Sequence, residues 1–245
     1  MKIFLSLLLL LSVAFASSDI QDSIADSFDS EYTVQKKENS DPIKGYNVFM
    51  TNLNDKFYTY ILFPIAKGYK KIVPTLARNS VSNFFNNLFF PVRFLNNLLQ
   101  LKIKNSFEET QRFVLNSTIG IAGLFDVAIN KFHIKSHNED FGQTLGYYGM
   151  GDRLYIVWPI LGPSNLRDTI GFVGDYMLDP IPYINNRGYN LSDNDDQSLV
   201  IGTFRIINKT SFDYKKYKAI KKGNVVLYPI LKNFYEKHRK KLIRE

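Results

Sequence analysis

The sequence predicts an all-α protein made of short amphipathic helices. From residue 41 onward, apolar residues recur at spacings of three and four, which is the period of one helix face. Asp, Ser and Pro stand where these periodic segments start, and Gly or Pro stands where they stop. Only one short apolar run, Leu154 to Trp158, suggests an isolated strand or a loop. The predicted secondary structure is therefore dominated by helices.

The composition limits the chemistry that this chain can carry. It has 245 residues, 45% of them hydrophobic, and no cysteine. Disulfide scaffolds, cysteine-ligated zinc sites and cysteine nucleophiles are therefore excluded. One folded body is the simplest interpretation of this length. The net charge of +8 would by itself allow nucleic acid, an anionic membrane surface or an acidic protein as partner.

The first 40 residues predict export. Residues 1–16 have the pattern of a secretory signal, with Lys2 before an apolar run and a small-x-small cleavage site that ends at Ala16. Residues 17–40 are rich in Ser, Asp and Glu, which predicts a disordered acidic leader. Export argues against a cytosolic function and against nucleic acid as a partner.

Residues 41–183 are predicted to form a helical domain. In its first helix Asp41 is expected to be the N-cap and Pro42 the first helical residue. Pro64 is expected to end or kink this helix. One face is apolar and aromatic: Tyr46, Phe49, Met50, Leu53, Phe57, Tyr60 and Ile61.

The stretch from Pro74 to Lys104 is helical by the same criterion, as two helices or as one helix kinked at Pro91. Its polar face carries almost no charge, although a solvated face normally carries Lys and Glu. That face consists of Asn79, Ser82, Asn83, Asn86, Asn87, Asn96, Asn97 and Gln100.

Three further helices complete the predicted domain. A capping box at 106–109 is expected to open a helix that stops near Gly120 and Gly123. Residues 141–151 predict a short helix that breaks into a glycine-rich turn. A turn at 162–164 is expected to lead into a helix from Leu166, and the prolines at 180 and 182 are expected to end it.

Residues 184–245 predict a linker followed by basic C-terminal helices. The linker covers 185–197, and weaker helices are expected at 198–207 and 227–243. Residues 201–245 contain 13 Lys plus Arg against 3 Asp plus Glu. This basic region either contacts anionic lipid headgroups or an acidic partner, or forms a solvated helix face.

No motif for catalysis, cofactor binding or metal binding is present. His133 and His137 lack the Glu of a zinc-protease helix, and the glycines from Gly146 to Gly151 do not form a phosphate-binding loop. No nucleophile elbow occurs, and Arg167-Asp168 is typical of a structural ion pair or a cap. We therefore expect no enzyme, no cofactor and no metal.

The predicted helices are too short to span a membrane. A helix over 106–119 would be ~21 Å long, whereas the hydrocarbon core is ~30 Å thick. The chain is therefore expected either to lie in one leaflet or to form a soluble helical bundle, because both need the same amphipathic faces.

Six segments carry a long and uncommon set of motifs. They read Asp41-Pro42-x-x-Gly45-x-Asn47, Arg78-Asn79-x-x-x-Asn83-Phe84-x-x-Asn87-Leu88-x-x-Pro91, Asn96-x-x-Leu99-Gln100, Arg112-Phe113-x-x-Asn116-x-x-x-Gly120-x-x-Gly123-x-x-Asp126-Val127-Ala128, Phe141-Gly142-x-Thr144-Leu145-Gly146-x-Tyr148-Gly149-x-Gly151, and Leu166-Arg167-Asp168. In this order they resemble the MlaA (VacJ) family of bacterial outer-membrane phospholipid-transport proteins. The resemblance covers about Asp41 to Pro180, whereas Tyr235 and Arg239 match only loosely.

The resemblance implies a ring of short amphipathic helices in the periplasmic leaflet of the outer membrane, around a central channel. In that family the channel passes phospholipid misplaced in the outer leaflet to a soluble periplasmic carrier, and so maintains lipid asymmetry. An inner-membrane transporter completes the transfer, and trimeric porins associate with the channel protein. This activity is transport and involves no catalysis or nucleotide at the channel itself.

The resemblance also suggests site residues. The lipid-pathway candidates are Asn83, Asn87, Asn116, Asp126, Gly142, Gly146, Gly149 and Gly151. The motif residues expected to be structural are Asp41, Pro42, Gly45, Asn47, Arg78, Pro91, Gln100, Arg112, Phe113, Gly120, Gly123, Arg167 and Asp168.

The chain departs from the family pattern in two ways. Family members usually carry a lipidated cysteine after the signal, which this sequence lacks, so we expect membrane retention without an acyl anchor. Val48 stands where Arg is common, and Gly151-Asp152-Arg153-Leu154-Tyr155 replaces a Gly-Tyr-Gly-Pro-Tyr pattern. The alternative hypothesis is a soluble periplasmic lipid-binding or adaptor protein.

Overall fold

The computed structural model describes residues 41–181, 195–222 and 226–245. The predicted signal, the acidic leader and most of the predicted linker lie outside these ranges. The elements follow in the order α1 (Lys44–Phe57), a π-helical turn (Tyr58–Leu62), α2 (Phe63–Ile72), α3 (Thr75–Leu88), α4 (Phe90–Leu99), α5 (Ile103–Thr118), α6 (Val127–Phe132), α7 (Phe141–Tyr147), β1 (Tyr155–Trp158), β2 (Gly162–Asn165), α8 (Leu166–Met177), α9 (Asp195–Lys222) and α10 (Leu227–Arg244). The described chain is mostly helical, which confirms the all-α prediction.

Helix α1 begins later than predicted, because Asp41 is not its N-cap. The Asp41 carboxylate instead accepts hydrogen bonds from the Ile43 backbone N–H at 3.1 Å and from Asn47 Nδ2 at 2.9 Å. It also accepts a hydrogen bond from the Tyr228 hydroxyl. Asp41 therefore closes a turn ahead of the helix and joins that turn to α1 and α10.

Pro64 does not end the first helical stretch, which continues to Ile72. The backbone N–H of Phe63 donates to the Tyr58 carbonyl five residues earlier, as in a π-helix. Pro64 has no N–H to offer in the next turn, and the wider turn directly precedes it. The chain therefore stays helical across Pro64, and in the turn before it the hydrogen bonds join residues five apart instead of four apart.

The segment from 74 to 104 forms two helices, the first of the two alternatives. Helix α3 stops at Leu88, the Phe89 N–H donates to the Phe85 carbonyl at 3.0 Å, and Pro91 lies in the first turn of α4. Proline fits there because the first turn of a helix leaves its N–H groups without intrahelical partners.

The predicted capping box is wrong. Helix α5 already begins at Ile103, so Ser106 lies inside it. The Ser106 hydroxyl is 3.3 Å from the Lys102 carbonyl, and Glu109 accepts a hydrogen bond from the His137 backbone N–H at 2.5 Å. The sequence pattern is present, but the Ser106 hydroxyl and the Glu109 carboxylate do not bind the backbone N–H groups that a capping box would satisfy. The predicted stop near Gly120 is confirmed, since α5 ends at Thr118.

Residues 155–165 form a β-hairpin and not a strand followed by a turn. Strands β1 and β2 are antiparallel, with Tyr155 opposite Asn165 and Trp158 opposite Gly162. The predicted turn at 162–164 is therefore strand β2, and the reversal lies at 159–161. Ile160 has a φ of 66° and Gly162 a φ of 88°, which is the left-handed geometry that such a tight reversal requires.

The C-terminal helices are longer than predicted and pack on the N-terminal part. Helix α9 packs against α2 and α3, whereas α10 packs against α1, α7 and β2. Tyr228 and Tyr235 of α10 join Tyr155 and Val157 of β1 in an apolar cluster. These contacts join helix α10 to the β-hairpin and to α1 and α7.

Helices α1, α4 and α5 bury their polar sides and expose their apolar sides. In α1 the buried side chains are Asn47, Thr51 and Asn54, whereas Phe49 is 62% exposed. In α5 Glu109 is completely buried and Phe107 is 62% exposed. Among the residues that the structure describes, more polar than apolar side chains are buried. This distribution is the reverse of that in a water-soluble helix bundle.

Over residues 41–181, 195–222 and 226–245, no helix combines the length and the hydropathy that a transmembrane crossing requires.

Candidate functional site

Amide side chains of α1 hold the β-hairpin. Asn47 Nδ2 donates to the Tyr155 carbonyl at 3.0 Å, and its Oδ1 accepts from the Val157 N–H at 2.8 Å. Asn54 repeats this pattern two turns later, with the Trp158 carbonyl at 2.9 Å and the Ile160 N–H at 2.6 Å. Buried backbone groups need such partners, so the uncharged face of α1 serves as a template for strand β1.

A second polar layer joins α4 to α7. Gln100 Nε2 donates to Glu139 at 2.9 Å and to the Thr144 hydroxyl at 3.1 Å. The Thr144 hydroxyl in turn donates to Asn96 Oδ1 at 2.8 Å. Lys102 Nζ lies 2.7 Å from Glu139, so the buried carboxylate is paired with a charge. The interior between α4 and α7 is therefore polar, and these side chains form one connected hydrogen-bond network.

Four of the predicted lipid-pathway residues gather around the loop at 119–126. Asn83 Nδ2 donates to the Leu124 carbonyl at 3.2 Å, and Asn87 Nδ2 donates to the Ser117 hydroxyl at 2.9 Å. Asn116 Nδ2 donates to Asp126 at 3.0 Å. These contacts tie α3 and α5 to the loop and to the start of α6.

Asp126 and Arg112 complete this group. Asp126 accepts from Arg112 Nη2 at 2.7 Å, and its side chain also caps α6 by accepting from the Ile129 N–H. Arg112 Nη1 donates to the Ile134 carbonyl at 2.5 Å. The predicted structural residue Arg112 and the predicted pathway residues Asn116 and Asp126 therefore form one hydrogen-bonded unit.

The 119–126 loop presents an apolar surface on a constrained backbone. Ile119, Ile121, Leu124 and Phe125 are exposed. Ile121 and Ala122 have φ values of 52° and 53°, which are costly for residues with a Cβ. Gly120 has no room for a side chain, because an added Cβ would lie 2.5 Å from the Asn116 carbonyl. We call Asn83, Asn87, Asn116 and Asp126 the Asn83–Asp126 group. Their hydrogen bonds hold this backbone in place.

The four predicted pathway glycines lie in two different environments. An added Cβ at Gly142 would lie 2.6 Å from Asp168 Oδ1, and one at Gly146 would lie 2.6 Å from Ile243 Cδ1. Gly149 and Gly151 are exposed, and a Cβ added at either would have no neighbouring atom within 4 Å. The structure therefore does not bring the four glycines together into a single site. It also does not join them to the pathway candidates Asn83, Asn87, Asn116 and Asp126.

An acidic and basic network lies beneath Gly142. Arg239 of α10 contacts Asp140 at the start of α7 at 2.5 Å and Asp168 of α8 at 2.9 Å. Arg167 also pairs with Asp168, at 2.8 Å, and the Tyr235 hydroxyl donates to the same carboxylate. Burial alone would raise the pKa of Asp140, but the Arg239 guanidinium outweighs it and lowers this pKa to about 2.

Tyr235 and Arg239 are the residues that sequence reasoning undervalued. Both are buried in α10, four residues apart on one helix face. Their spacing on an otherwise basic helix was the available signal. Their partners lie 67 residues away for Tyr235 and 99 residues away for the Asp140 contact of Arg239, so no local pattern could identify them.

The remaining motif residues have separate positions. Arg78 is buried and donates to the Ser211 hydroxyl of α9 at 2.9 Å, with its guanidinium over the Phe212 ring. Phe113 stacks on Phe90 with a centroid distance of 4.5 Å. Pro42 and Gly45 are exposed at the start of α1.

In the described part of the chain, no group of three or more His, Asp or Glu side chains is arranged to hold a metal ion. His137 Nε2 is paired with Glu108 at 2.6 Å, and His133 is exposed at the end of α6. The two histidines therefore do not act as a pair.

The Asp175 carboxyl should make the stability of the folded protein depend on pH. This partly buried carboxyl accepts from the Phe141 N–H at 2.9 Å and from Asn96 Nδ2 at 3.1 Å. Burial, and then the nearby Asp140 charge, raise the pKa of Asp175 well above its ordinary 3.8. The folded protein thus keeps a proton that the unfolded chain releases, so this group lowers stability as pH rises from the ordinary pKa towards the raised one.

We expect Asp175→Asn to lose that part of the pH dependence, because an amide keeps the acceptor oxygen without the charge. The free energy of unfolding, measured by urea titration at pH 5 and pH 7.5, should fall less between the two values in the variant. Parallel behaviour of the two proteins would contradict the assignment.

The comparison with known families agrees with this architecture. The sequence model described as "MlaA lipoprotein" matches residues 39–242, which includes every element from α1 to α9 and all but the last two residues of α10. The chain belongs to the MlaA family. The match extends through α9 and most of α10, so the helix that carries Tyr235 and Arg239 lies within the MlaA region.

MlaA relatives occur in several bacteria. A Rickettsia prowazekii (strain Madrid E) protein is 34% identical over 200 residues, which cover 78% of this chain and 77% of that protein. The intermembrane phospholipid transport system lipoprotein MlaA of Escherichia coli (strain K12) is 37% identical over 139 residues, 56% of this chain and 55% of its own length.

A solved structure also shares the MlaA fold. It was described under the heading of a structural basis for maintenance of bacterial outer membrane lipid asymmetry, and it superimposes with a TM-score of 0.67 at 26% identity. The superposition covers 83% of this chain and 99% of that chain. The family resemblance is therefore confirmed in both sequence and structure.

Proposed function

We propose that this chain is the outer-membrane component of an intermembrane phospholipid transport system. It would remove phospholipid misplaced in the outer leaflet through an amphipathic channel and pass it to a periplasmic carrier, and so maintain lipid asymmetry. The observation that carries the proposal is the reversed placement of polar and apolar side chains in α1, α4 and α5. The names of the E. coli relative and of the solved structure support the same role.

The exposed surface is suited to acyl chains. Ile103, Phe107 and Val114 form an exposed stripe along α5, and the 119–126 loop continues it with apolar residues. A helix with one apolar face and no spanning length lies in the plane of a membrane, with that face in the acyl region. The periplasmic leaflet of the outer membrane is the surface that an exported MlaA protein would meet.

The remaining parts of the proposal concern partners and the lipid path. A trimeric porin and a soluble periplasmic carrier are the proposed protein partners, and no catalytic step is assigned to the chain. Gly149 and Gly151, which have open space around them, are the pathway candidates most accessible to a lipid. The Asn83–Asp126 group would act indirectly, by holding the apolar 119–126 loop.

The test is fractionation without detergent. Inner-membrane, outer-membrane and periplasmic fractions are separated, the protein is detected by immunoblot, and co-purifying phospholipid is quantified by mass spectrometry. Outer-membrane residence with bound phospholipid is expected. A soluble, lipid-free protein would overturn the proposal and favour the periplasmic adaptor hypothesis.

A variant of the α5 stripe sharpens this test. Phe107→Glu combined with Val114→Glu should reduce outer-membrane retention at least tenfold, because each apolar side chain withdrawn from the membrane costs about 1.5–3 kcal/mol. Neither side chain is buried in the protein, so the far-UV circular dichroism spectrum should not change.

The matched control adds the same two charges elsewhere. Asn79→Glu with Asn130→Glu changes two exposed residues that are already polar, and it should leave retention close to that of the unmodified protein. Equal loss in both variants, or full retention of the stripe variant, would contradict a membrane role for the α5 stripe.

A further inference from the structure

Helices α2 and α9 lie side by side in opposite directions. The ring centroids of Phe63 and Tyr217 are 5.4 Å apart. Further along α2, the Tyr69 hydroxyl donates to Asn208 Oδ1 at 2.8 Å. A later residue of α2 thus meets an earlier residue of α9, and the two helices share one seam.

Lysines line one side of this seam. Lys67 Nζ and Lys70 Nζ of α2 lie 5.6 Å and 5.5 Å from the centre of the Tyr214 ring of α9, within the range in which an aromatic ring attracts a cation. Residues four apart lie on the same side of a helix, so the side of Lys67 continues to Lys71 and the side of Tyr214 continues to two further lysines of α9. All of these lysines are exposed except Lys70, which is half-buried. Together with the exposed Lys215 they form what we call the lysine face: Lys67, Lys70, Lys71, Lys215, Lys218 and Lys222.

The lysine face is not neutralised from within the described part of the chain, where no carboxylate forms an ion pair with any of its six members. Helix α2 contains no Asp or Glu. Asp55 and Asp213 pair instead with Lys221 at 2.7 Å and with Lys216 at 3.5 Å. Like charges gathered in this way produce a positive potential that attracts an acidic surface.

The lysine face points away from the exposed apolar side of α2. Ile65 and Ile72 share that apolar side, and Ile72 is 82% exposed. Lys67 follows Ile65 by two residues, which is about 200° around the helix. One membrane surface therefore cannot receive both sides, and the isoleucine side is the one suited to acyl chains. Residues 205–222 of α9 expose no large hydrophobic side chain, so the lysine face is left towards water.

We propose that the lysine face is the docking surface for a soluble protein with an acidic face. This docking rests on the membrane orientation in the proposed function, because that orientation turns these lysines towards the aqueous compartment. Opposite charges across an interface steer two proteins together and fix their relative orientation. Strongly hydrated ammonium groups on flexible stems suit a polar interface that retains water.

Photo-crosslinking in cells identifies what lies against the lysine face. A photoreactive phenylalanine analogue replaces Lys71 in one full-length variant and Lys215 in another, and the adducts are identified by mass spectrometry. We expect both positions to give an adduct with the same soluble protein, through a peptide rich in Asp and Glu. Lys131, which is exposed on α6, is the control position and should not give this adduct. Adducts with lipid alone, no adduct, or the same adduct at Lys131 would each overturn the proposal.

Binding of the crosslinked protein, once purified, measures the contribution of the charges. The lysine-face variant should bind it at least about tenfold more weakly at low salt. The control variant removes an equal charge from exposed lysines elsewhere, and it should change the affinity by less than about threefold. Equal losses in the two variants, or unchanged binding of the lysine-face variant, would overturn the proposal. The lysine-face variant combines Lys67→Gln, Lys71→Gln and Lys218→Gln, and the control variant combines Lys131→Gln, Lys135→Gln and Lys241→Gln.

Fractionation of the same two variants separates this docking from the proposed function. Both should stay in the outer-membrane fraction with phospholipid bound, because they leave the α5 stripe and the 119–126 loop unchanged. Release of the lysine-face variant alone would assign its lysines to the membrane and overturn the docking. An unmodified protein that is soluble and lipid-free would overturn the proposed function, whereas the crosslinked adducts would still support or overturn the docking.

Discussion

Replacing Arg239 by Met should cost about 3–5 kcal/mol of unfolding free energy, because it leaves the buried Asp168 carboxylate and the partly exposed Asp140 carboxylate without the guanidinium that joins them. Arg239 contacts Asp168 through two nitrogens, each at 2.9 Å, and Asp140 through Nη1 and Nη2. Methionine fills a similar length without charge or donors. Arg167 would still pair with Asp168, but Asp140 would lose its charged partner and keep its contacts with Gln143.

The measurement is urea unfolding followed by circular dichroism, in the detergent used for purification. Lys240→Met is the control, since Lys240 pairs with Asp152 at 3.3 Å on the surface of the same helix. An exposed pair of this kind contributes at most about 1 kcal/mol. Adding Asp140→Asn to Arg239→Met should restore part of the loss, because it removes one of the two unpaired carboxylate charges, although this one is partly exposed. Equal costs for the two single variants would contradict the role given to Arg239.

Gly171→Ala should be as damaging as the loss of Arg239, although it adds only one methyl group. Helices α7 and α8 touch through their backbones at this point, and an added Cβ would lie 2.5 Å from Gly142 Cα. Backbone atoms cannot rotate away as a side chain can, so the two helices would have to separate. We expect a cost of about 3 kcal/mol or more, with disturbance of the neighbouring Asp140–Arg239 contact.

Gly68→Ala provides the matched comparison. Gly68 also lies inside a helix, but nothing occurs within 4 Å of the Cβ that alanine would add. Alanine is favoured over glycine in helices by about 0.8–1 kcal/mol, so this variant should become more stable. The same substitution therefore has opposite signs at the two sites. Thermal unfolding of both variants checks this, and a stable Gly171→Ala protein would refute the backbone contact.

The sequence predicted the helices well because their periodicity is a local property. It also showed that the polar faces of α3 and α4 carry amides such as Asn87 and Asn96 in place of charges. Periodicity divides a helix into two faces but does not say which face points inward. That choice depends on the surrounding medium, and the burial of Asn47 with the exposure of Phe49 resolves it here.

The sequence could not predict the features that depend on distant partners. Asp41 matches a capping pattern, yet its carboxylate accepts from the Tyr228 hydroxyl, 187 residues away. Glu109 of the predicted capping box accepts from the His137 N–H, 28 residues away. The β-hairpin is stabilised by Asn47 and Asn54, which precede it by more than a hundred residues. Local rules weigh only neighbours in sequence, so a polar side chain with a better remote partner escapes them.

The burial of amides in place of apolar side chains also affects how the stability of the protein varies with temperature. Unfolding normally absorbs heat capacity because apolar groups become hydrated, whereas newly exposed polar groups lower the heat capacity. A fold in which Asn47, Asn96 and Asn97 are buried while Phe49 and Phe107 are already exposed has less of the first contribution and more of the second. Its free energy of unfolding therefore has a flatter dependence on temperature than that of a water-soluble domain of equal length.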